Sequence, residues 1–289
     1  MTPPLHIRTE RFSATWLLGS GVFTFPGLKS PVAISPPAAT PTLEVSAWVK
    51  QNLGIQPDPQ QSRVLSTSIT RGILNCTRQW GKSTIAAAKA VHHAVHHPES
   101  LTIVVSPTAR QSAELVRKAE QFTRRLGIKP KGDGNNEISI LYPNGSRIIG
   151  LPGAEGTIRG FSAVSLLLVD EASRVTDDLY KAIRPMLAVS NGSLWLMSTP
   201  YGQRGFFYEA WTHGTRNPGT WEQVRVPATE CPRIKKEFLD EELATMGEQW
   251  FNQEYLCEFN QAEGALFDRD MLERALNPNI ELLDIPPYE

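Results

Sequence analysis

Cysteine is scarce in this sequence, and its placement excludes several classes of protein. The 289 residues include three cysteines, at positions 76, 231 and 257, and no two of them form a Cys-x-x-Cys pair. This spacing excludes a disulfide scaffold and a zinc ribbon, and it is typical of a protein kept in a reducing compartment. Long apolar runs are missing as well, since no stretch approaches the roughly 20 residues that a membrane-spanning helix needs. We therefore expect neither a small secreted domain nor a membrane protein.

Neither sign of charge dominates the whole chain, but the two signs are unevenly placed. The formal net charge is -1, yet residues 237–289 hold 14 acidic side chains against two arginines. The preceding part is therefore positively charged, most densely from Pro107 to Lys131. A polyanion such as DNA would be attracted to that stretch. A solvated helix face is an equally good interpretation of the same composition.

Three regions differ in composition along the chain. Residues 1–42 are rich in Pro, Ser and Thr, which predicts an extended or disordered arm because proline prevents helix and ladder formation. Residues 43–260 are predicted to form the folded domain, and residues 261–289 an acidic tail or a truncated linker.

Within the central region, apolar strand-like runs alternate with helical patterns. The predicted strands are 72–76, 101–106, 164–170, 193–198 and 220–226, and the predicted helices are 82–97, 109–126, 177–187 and 206–211. Between 138 and 151, two β-rich runs flank Asn144-Gly145, which predicts an inserted β-hairpin. Beyond residue 235 the pattern becomes helical and acidic. Strands joined by crossover helices predict an α/β fold with a mainly parallel sheet flanked by helices.

One eight-residue segment between a predicted strand and an Ala-rich helix has the form of a phosphate-binding P-loop. Gly81 allows close backbone approach to a phosphate, Lys82 reaches the β- and γ-phosphates, and Ser83 offers a hydroxyl to Mg²⁺. Cys76 departs from the usual first-position glycine, so an ordinary strand-to-helix turn is the alternative. The candidate ATP-binding residues here are Cys76, Thr77, Arg78, Gln79, Trp80, Gly81, Lys82, Ser83 and Thr84.

A second motif completes the chemistry that a P-loop needs. The apolar run 166–169 ends in Asp170 and Glu171. Asp170 is positioned to hold Mg²⁺ together with Ser83, and Glu171 to orient or deprotonate the attacking water. Two acids in this place can also cap the following helix. Their pairing with the P-loop favours an ATP-hydrolysing core, with Glu171, Lys82 and Arg78 as the catalytic candidates.

Further segments, taken in order, resemble the ATPase half of a phage large terminase subunit, the motor that packages DNA. They are CTRQWGKS, SPTARQSAE, TIRGFS, LLLVDEASRV, LWLMSTPYGQRGFFYEAW and QEYLCEF. The resemblance covers roughly residues 55 to 270. It also accounts for Cys76, because a non-glycine first position and an internal Arg-Gln are common in the terminase form of the P-loop.

The resemblance implies roles for residues outside the two motifs. Arg78 would act in cis on the γ-phosphate, where a guanidinium can neutralise developing charge. Gln61 would read the adenine edge, with an exposed helix glutamine as the alternative. Ser198 and Thr199 would couple the nucleotide state to a subdomain movement. The candidates for contact with DNA or a neighbouring subunit are Arg110 and Arg159, and a plain surface arginine is an equally good interpretation of Arg159.

The same resemblance implies cofactors and partners. They are Mg²⁺, ATP as substrate, double-stranded DNA, a small terminase subunit, a portal protein and a homo-oligomeric ring in the cytoplasm of a bacterial host. Large terminases usually continue into an RNase H-like nuclease, but only 30 residues follow the motif that closes the ATPase domain. We therefore expect no endonuclease within these 289 residues. A helicase-like DNA-dependent ATPase and a catalytically inert prophage remnant are the alternative functions.

Overall fold

A computed structural model describes residues 44–152, 160–261 and 275–276 of the chain. The helices are α1 (Val45–Leu53), α2 (Pro59–Ser66), α3 (Lys82–His96), α4 (Ala109–Arg125), α5 (Asp177–Ile183), α6 (Gly205–Arg216), α7 (Lys236–Met246) and α8 (Glu248–Glu254). The strands are β1 (Arg71–Cys76), β2 (Leu101–Ser106), β3 (Ser139–Leu141), β4 (Arg147–Pro152), β5 (Leu166–Asp170), β6 (Ser193–Ser198) and β7 (Glu222–Val226). The predicted arm over 1–42, Arg159 and almost all of the predicted tail lie outside these described ranges.

The seven strands form one sheet in the order β3-β4-β2-β5-β6-β1-β7. Apart from the antiparallel pair β3–β4, the neighbouring strands in the described sheet run parallel. Helices α1 to α4 cover one face and α5 and α6 the other. Because both faces are covered, β2 and β5 are mostly apolar and are buried along their whole length. The predicted α/β fold with a mainly parallel sheet is confirmed.

The hairpin at Asn144-Gly145 extends the main sheet. Gly145 has φ +81°, and its amide donates to the carbonyl of Tyr142, which closes the turn. Strand β4 then pairs in parallel with β2, with Ile148 opposite Thr102. Ile148 and Ile149 point to opposite faces of the strand and are both buried, so both faces of β4 are covered by other parts of the protein. The hairpin is therefore an integral part of the seven-stranded sheet.

Two helices before β1 had no counterpart in the sequence prediction. Helix α2 begins with a capping box, in which the Asp58 carboxylate accepts from the amide of Gln61 and the Gln61 side chain accepts from the amide of Asp58. Val49 and Leu53 of α1 are fully buried against the same core as α3. These helices bring residues 55–61 next to the start of α3. None of the described helices is long and apolar enough to cross a bilayer.

Candidate functional site

The segment from Cys76 to Lys82 turns sharply from the end of β1 into the start of α3. Two of its residues have left-handed backbone conformations, Gln79 at φ 65° and Gly81 at φ 103°. Glycine adopts that conformation without strain, whereas glutamine does so at a cost of roughly 1 kcal/mol or more. The turn places the N-terminus of a 15-residue helix at the carboxyl edge of the sheet. A helix N-terminus in that position favours a bound anion.

Lys82 extends across this loop and is almost completely buried. Its ammonium donates to the carbonyl of Cys76 at 2.7 Å and to the carbonyl of Thr77 at 3.0 Å. These bonds fix the charge over the hollow of the loop, where Lys82 also lines a cavity. The ammonium is therefore placed to contact an anion held by the loop.

Asp170 and Glu171 lie at the end of β5, beside the loop. Ser83 donates its hydroxyl to Asp170 Oδ2 at 3.3 Å, and the amide of Glu171 donates to Asp170 Oδ1 at 3.1 Å. The pKa of Asp170 is raised to about 6, mainly by burial and in part by the charge of Glu171, against the opposing charge of Lys82. Glu171 has φ 50°, a left-handed conformation that is strained for a residue other than glycine.

A cavity of about 450 Å³ joins these groups. Eight of the residues singled out from the sequence line it: Gln61, Arg78, Gln79, Gly81, Lys82, Ser83, Thr84 and Glu171. The remaining residues of its wall are Ile55, Gln56, Ile85, Lys118 and Arg233. The structure thus brings the lysine, the serine and the catalytic carboxylate candidate to one hollow.

Three residues of the loop direct their side chains away from that hollow. Cys76 is fully buried with its thiol against the carbonyl of Val224, and Trp80 is fully buried in the core. Thr77 donates its hydroxyl to the carbonyl of Glu254 at 3.3 Å. These side chains support the loop from behind, and only their backbone is available to a ligand.

The Gln61 side chain is already engaged at both ends. Its Oε1 accepts from the amide of Asp58 at 3.1 Å, and its Nε2 donates to the carbonyl of Trp80 at 3.0 Å. Gln61 therefore ties α2 to the phosphate loop, and one N–H and one oxygen lone pair of its amide stay without a partner among these two bonds.

Glu254, at the end of α8, was not singled out from the sequence. Its buried carboxylate accepts from Arg78 Nε at 2.8 Å and from an Arg174 guanidinium nitrogen at 3.1 Å. The segment QEYLCEF contains Glu254, but it gives no indication that this acid reaches the P-loop. Arg174, which also stacks over Tyr201 at 4.5 Å, was likewise missed.

Ser198 and Thr199 contact the carboxylates of Glu171 and Glu254. Ser198 Oγ lies 2.7 Å from Ser173 Oγ and donates to Glu171 Oε2 at 3.5 Å, a long contact. Thr199 donates its hydroxyl to Glu254 Oε2 at 3.3 Å. The end of β6 therefore touches both the carboxylate that faces the cavity and the one that holds Arg78.

The basic stretch from Pro107 to Lys131 is partly neutralised by neighbouring groups. Arg117 pairs with Glu114 and Arg124 with Glu120, both along α4. Arg110 is exposed at the start of that helix. The pairs reduce the charge that this face can offer to a polyanion.

Comparisons with known proteins agree with this fold. A family described as "Terminase large subunit, T4likevirus-type, N-terminal" matches residues 73–274. The large terminase subunit of Thermus virus P23-45 is 24% identical over 270 residues, which cover 82% of this chain and 53% of that protein. The present chain thus spans about half the length of that relative.

Solved structures of terminases have the same architecture. The ATPase domain of the Thermus phage P74-26 large terminase superposes with a TM-score of 0.67 at 22% identity, covering 75% of this chain and 99% of that one. The large terminase of a thermophilic bacteriophage, solved in complex with ADP, superposes with a TM-score of 0.60 at 15% identity, covering 73% and 56%. The fold is therefore that of a terminase ATPase domain. Because the family match covers most of the chain, this protein belongs to the terminase large-subunit family.

Proposed function

We propose that this chain hydrolyses ATP and that the hydrolysis drives translocation of double-stranded DNA during phage genome packaging. One observation carries the proposal: Lys82, Ser83 and Glu171 line the same cavity at the N-terminus of α3, with Asp170 within hydrogen-bonding distance of Ser83. This is the set of groups that phosphoryl transfer requires, because it combines phosphate binding, charge neutralisation and water activation. Membership of the terminase family and the ADP complex of the thermophilic bacteriophage terminase support the same function.

The phosphate loop would hold the β- and γ-phosphates. Backbone amides at the start of α3 and the ammonium of Lys82 supply donors and positive charge there. Lys82 is held in place by the carbonyls of Cys76 and Thr77, so little conformational entropy would be lost when a phosphate binds.

The donor set beside the loop fits Mg²⁺. A serine hydroxyl and a carboxylate 3.3 Å apart are hard oxygen ligands, the kind that Mg²⁺ prefers. Across the described part of the chain, no group of three or more His, Cys, Asp or Glu side chains is arranged to hold a metal. This matches a cation that takes most of its ligands from phosphate and water. Bound there, Mg²⁺ would neutralise charge on the phosphates.

Glu171 and Arg78 would act on the reacting groups. The Glu171 carboxylate lines the cavity and would orient the attacking water and accept its proton. The Arg78 guanidinium also lines the cavity and would stabilise charge on the transferred phosphoryl group once it leaves Glu254. Ser198 and Thr199 would transmit the change in nucleotide state to a subdomain movement, because they contact the carboxylates of Glu171 and Glu254.

The partners follow from the family. We propose double-stranded DNA, a small terminase subunit and a portal protein, with the motor acting as a homo-oligomeric ring in the cytoplasm of a bacterial host. Arg110 and Arg159 stay candidates for contact with DNA or a neighbouring subunit.

The test is steady-state ATP hydrolysis by the full chain, with and without double-stranded DNA. We expect Mg²⁺-dependent turnover that falls by about 100-fold or more in Lys82→Ala, because a fixed positive charge at the phosphates is lost. Lys181→Ala, an exposed lysine on α5, serves as the control. No turnover in the native chain would favour the inert alternative, and strand separation coupled to turnover would favour a helicase.

A further inference from the structure

The order of strands in the sheet indicates which end of a bound nucleotide lies on which side of the cavity. This inference rests on the proposed function. Strand β1, which leads into the phosphate loop, lies between β6 and β7, with β5 beyond β6. Asp170 and Glu171 end β5, so the reacting γ-phosphate belongs on that side. The triphosphate then runs across the loop, and the nucleoside emerges toward β7.

Arg233 occupies that side of the cavity. It lies between β7 and α7, is exposed, and donates from Nη2 to the carbonyl of Trp80 in the phosphate loop. A methyl group built on Gly81 would lie 3.3 Å from Gln61 Nε2 and 3.9 Å from Arg233 Nη2. Arg233 and Gln61 therefore flank the same point of the loop.

The chemistry of these two side chains differs. Both ends of the Gln61 amide are bonded within the protein. Arg233 has five N–H donors, and within the described ranges its hydrogen bond is the one to Trp80. A guanidinium is planar and stacks on aromatic rings, so the same group can bond to the loop through its edge and cover a nucleobase with its face.

The rest of the wall suits a nucleobase as well. Ile55 and Gln56, in the connection between α1 and α2, line the cavity together with Arg233. Ile55 is half-buried and offers apolar surface, and the exposed Gln56 offers an amide that no described residue occupies. These are the two kinds of contact by which proteins hold a base, namely burial of its faces and hydrogen bonds to its edge.

We infer that Arg233 is the nucleoside-contacting residue of this site, stacking on the base of the nucleoside triphosphate beside Ile55 and Gln56, while Gln61 holds the phosphate loop in place. Base recognition is thereby separated from phosphate binding. Arg233 contributes to affinity for the nucleoside, and the loop with Lys82 contributes to affinity for the triphosphate.

The experiment compares binding of Mg·ATP with binding of Mg·tripolyphosphate, which has the phosphates without a nucleoside, by calorimetry on the full chain. In Arg233→Ala we expect the Kd for ATP to rise about five- to tenfold, the size of one desolvated stacking contact. The Kd for tripolyphosphate should change less than twofold. Arg233→Lys keeps the positive charge but lacks the planar guanidinium, so it should likewise raise the Kd for ATP and leave the Kd for tripolyphosphate unchanged.

Two further variants separate the possible outcomes. Gln61→Ala should weaken both ligands to the same degree, because it loosens the loop, and Arg184→Ala, an exposed arginine following α5, should change neither. Equal weakening of both ligands by Arg233→Ala would make Arg233 a brace of the loop and overturn the inference. Unchanged ATP binding in Arg233→Ala, or selective loss of ATP in Gln61→Ala, would also overturn it. If the native chain binds neither ligand, the proposed function itself fails.

Discussion

Arg78 of the phosphate loop is ion-paired with Glu254 at the end of α8. Arg78 Nε and Glu254 Oε2 are 2.8 Å apart, although 176 positions separate the two residues in the chain. The Glu254 carboxylate is buried, and it also accepts from Arg174 and Thr199. Arg78 is largely exposed and also lines the cavity at the N-terminus of α3. Under the proposed function its guanidinium has two alternative anionic partners, the Glu254 carboxylate and a phosphate of the bound nucleotide.

This competition is measurable by a double-mutant cycle with Arg78→Ala and Glu254→Gln in urea unfolding. Without nucleotide we expect a coupling of about 0.5–1 kcal/mol, kept small because Arg78 is exposed to solvent. With a non-hydrolysable Mg·ATP analogue the coupling should fall toward zero. The cycle between Arg174 and Glu254 is the control and should be unaffected. A coupling that persists with the analogue would show that Arg78 stays on Glu254.

Glu171→Gln tests the proposed role in water activation. The amide keeps the size of the side chain but cannot accept a proton, so we expect ATP to bind with unchanged affinity while turnover falls by about 100-fold or more. Binding is measured by calorimetry and turnover by phosphate release. Asp178→Asn, an exposed acid of α5, is the matched control. Retained turnover would remove Glu171 from catalysis.

Two histidines of α3 should make stability depend on pH. The pKa of His92 and of His93 is lowered to about 4, mainly by burial and in part by the charges of the neighbouring His97 and Lys89. The rings are confined: Trp48 packs edge-on at 5.0 Å from His92, which also stacks on His96. In the unfolded chain these histidines bind a proton near pH 6.5, whereas in the folded chain they stay neutral until about pH 4. The stability that they contribute is therefore fully present above pH 6.5 and is lost as pH falls toward 4.

Thermal unfolding at pH 7.5, 6.5 and 5.5 checks this dependence. We expect a loss of roughly 1 kcal/mol per histidine by pH 5.5, reduced for partial exposure, or roughly 2–4 °C in Tm. His93→Gln keeps a polar group near Ser165, whose hydroxyl lies 2.8 Å from His93 Nε2, and should lessen the slope. His213→Gln, on an exposed position of α6, should not. An unchanged slope in His93→Gln would contradict the assignment.

Gly72→Ala tests a close approach inside the sheet. Gly72 of β1 pairs with Trp195 of β6, and a methyl group on Gly72 would lie 2.2 Å from the indole ring. Trp195 is fully buried and cannot move aside, so we expect a loss of about 2–3 kcal/mol, or roughly 4–10 °C in Tm. Trp195→Phe should restore part of the loss when combined with Gly72→Ala. Additive effects of the two changes would refute the steric explanation.

Short-range features of the site could be predicted from the sequence. The P-loop, the two acids after a buried strand and the Asn-Gly turn each depend on neighbouring residues, so their spacing carries the information. Strands β2 and β6 were predicted with the bounds that the structure has. Helix α5 was predicted to reach residue 187, but it ends at Ile183. Pro185 has no backbone N–H to continue the helix, and a 3₁₀ turn follows instead. The missed helix α2 does carry a local signal, the capping box that starts at Asp58.

By itself the sequence determined the fold class, the phosphate loop and the carboxylates beside it, because each is encoded in adjacent residues. The tertiary structure alone decided that β4 lies beside β2, that Glu254 holds Arg78, and that Gln61 and Arg233 meet at the carbonyl of Trp80. These contacts join residues far apart in the chain, up to 176 positions for Arg78 and Glu254. Their partners are set by the order of strands in the sheet, and a local pattern of residues does not specify that order.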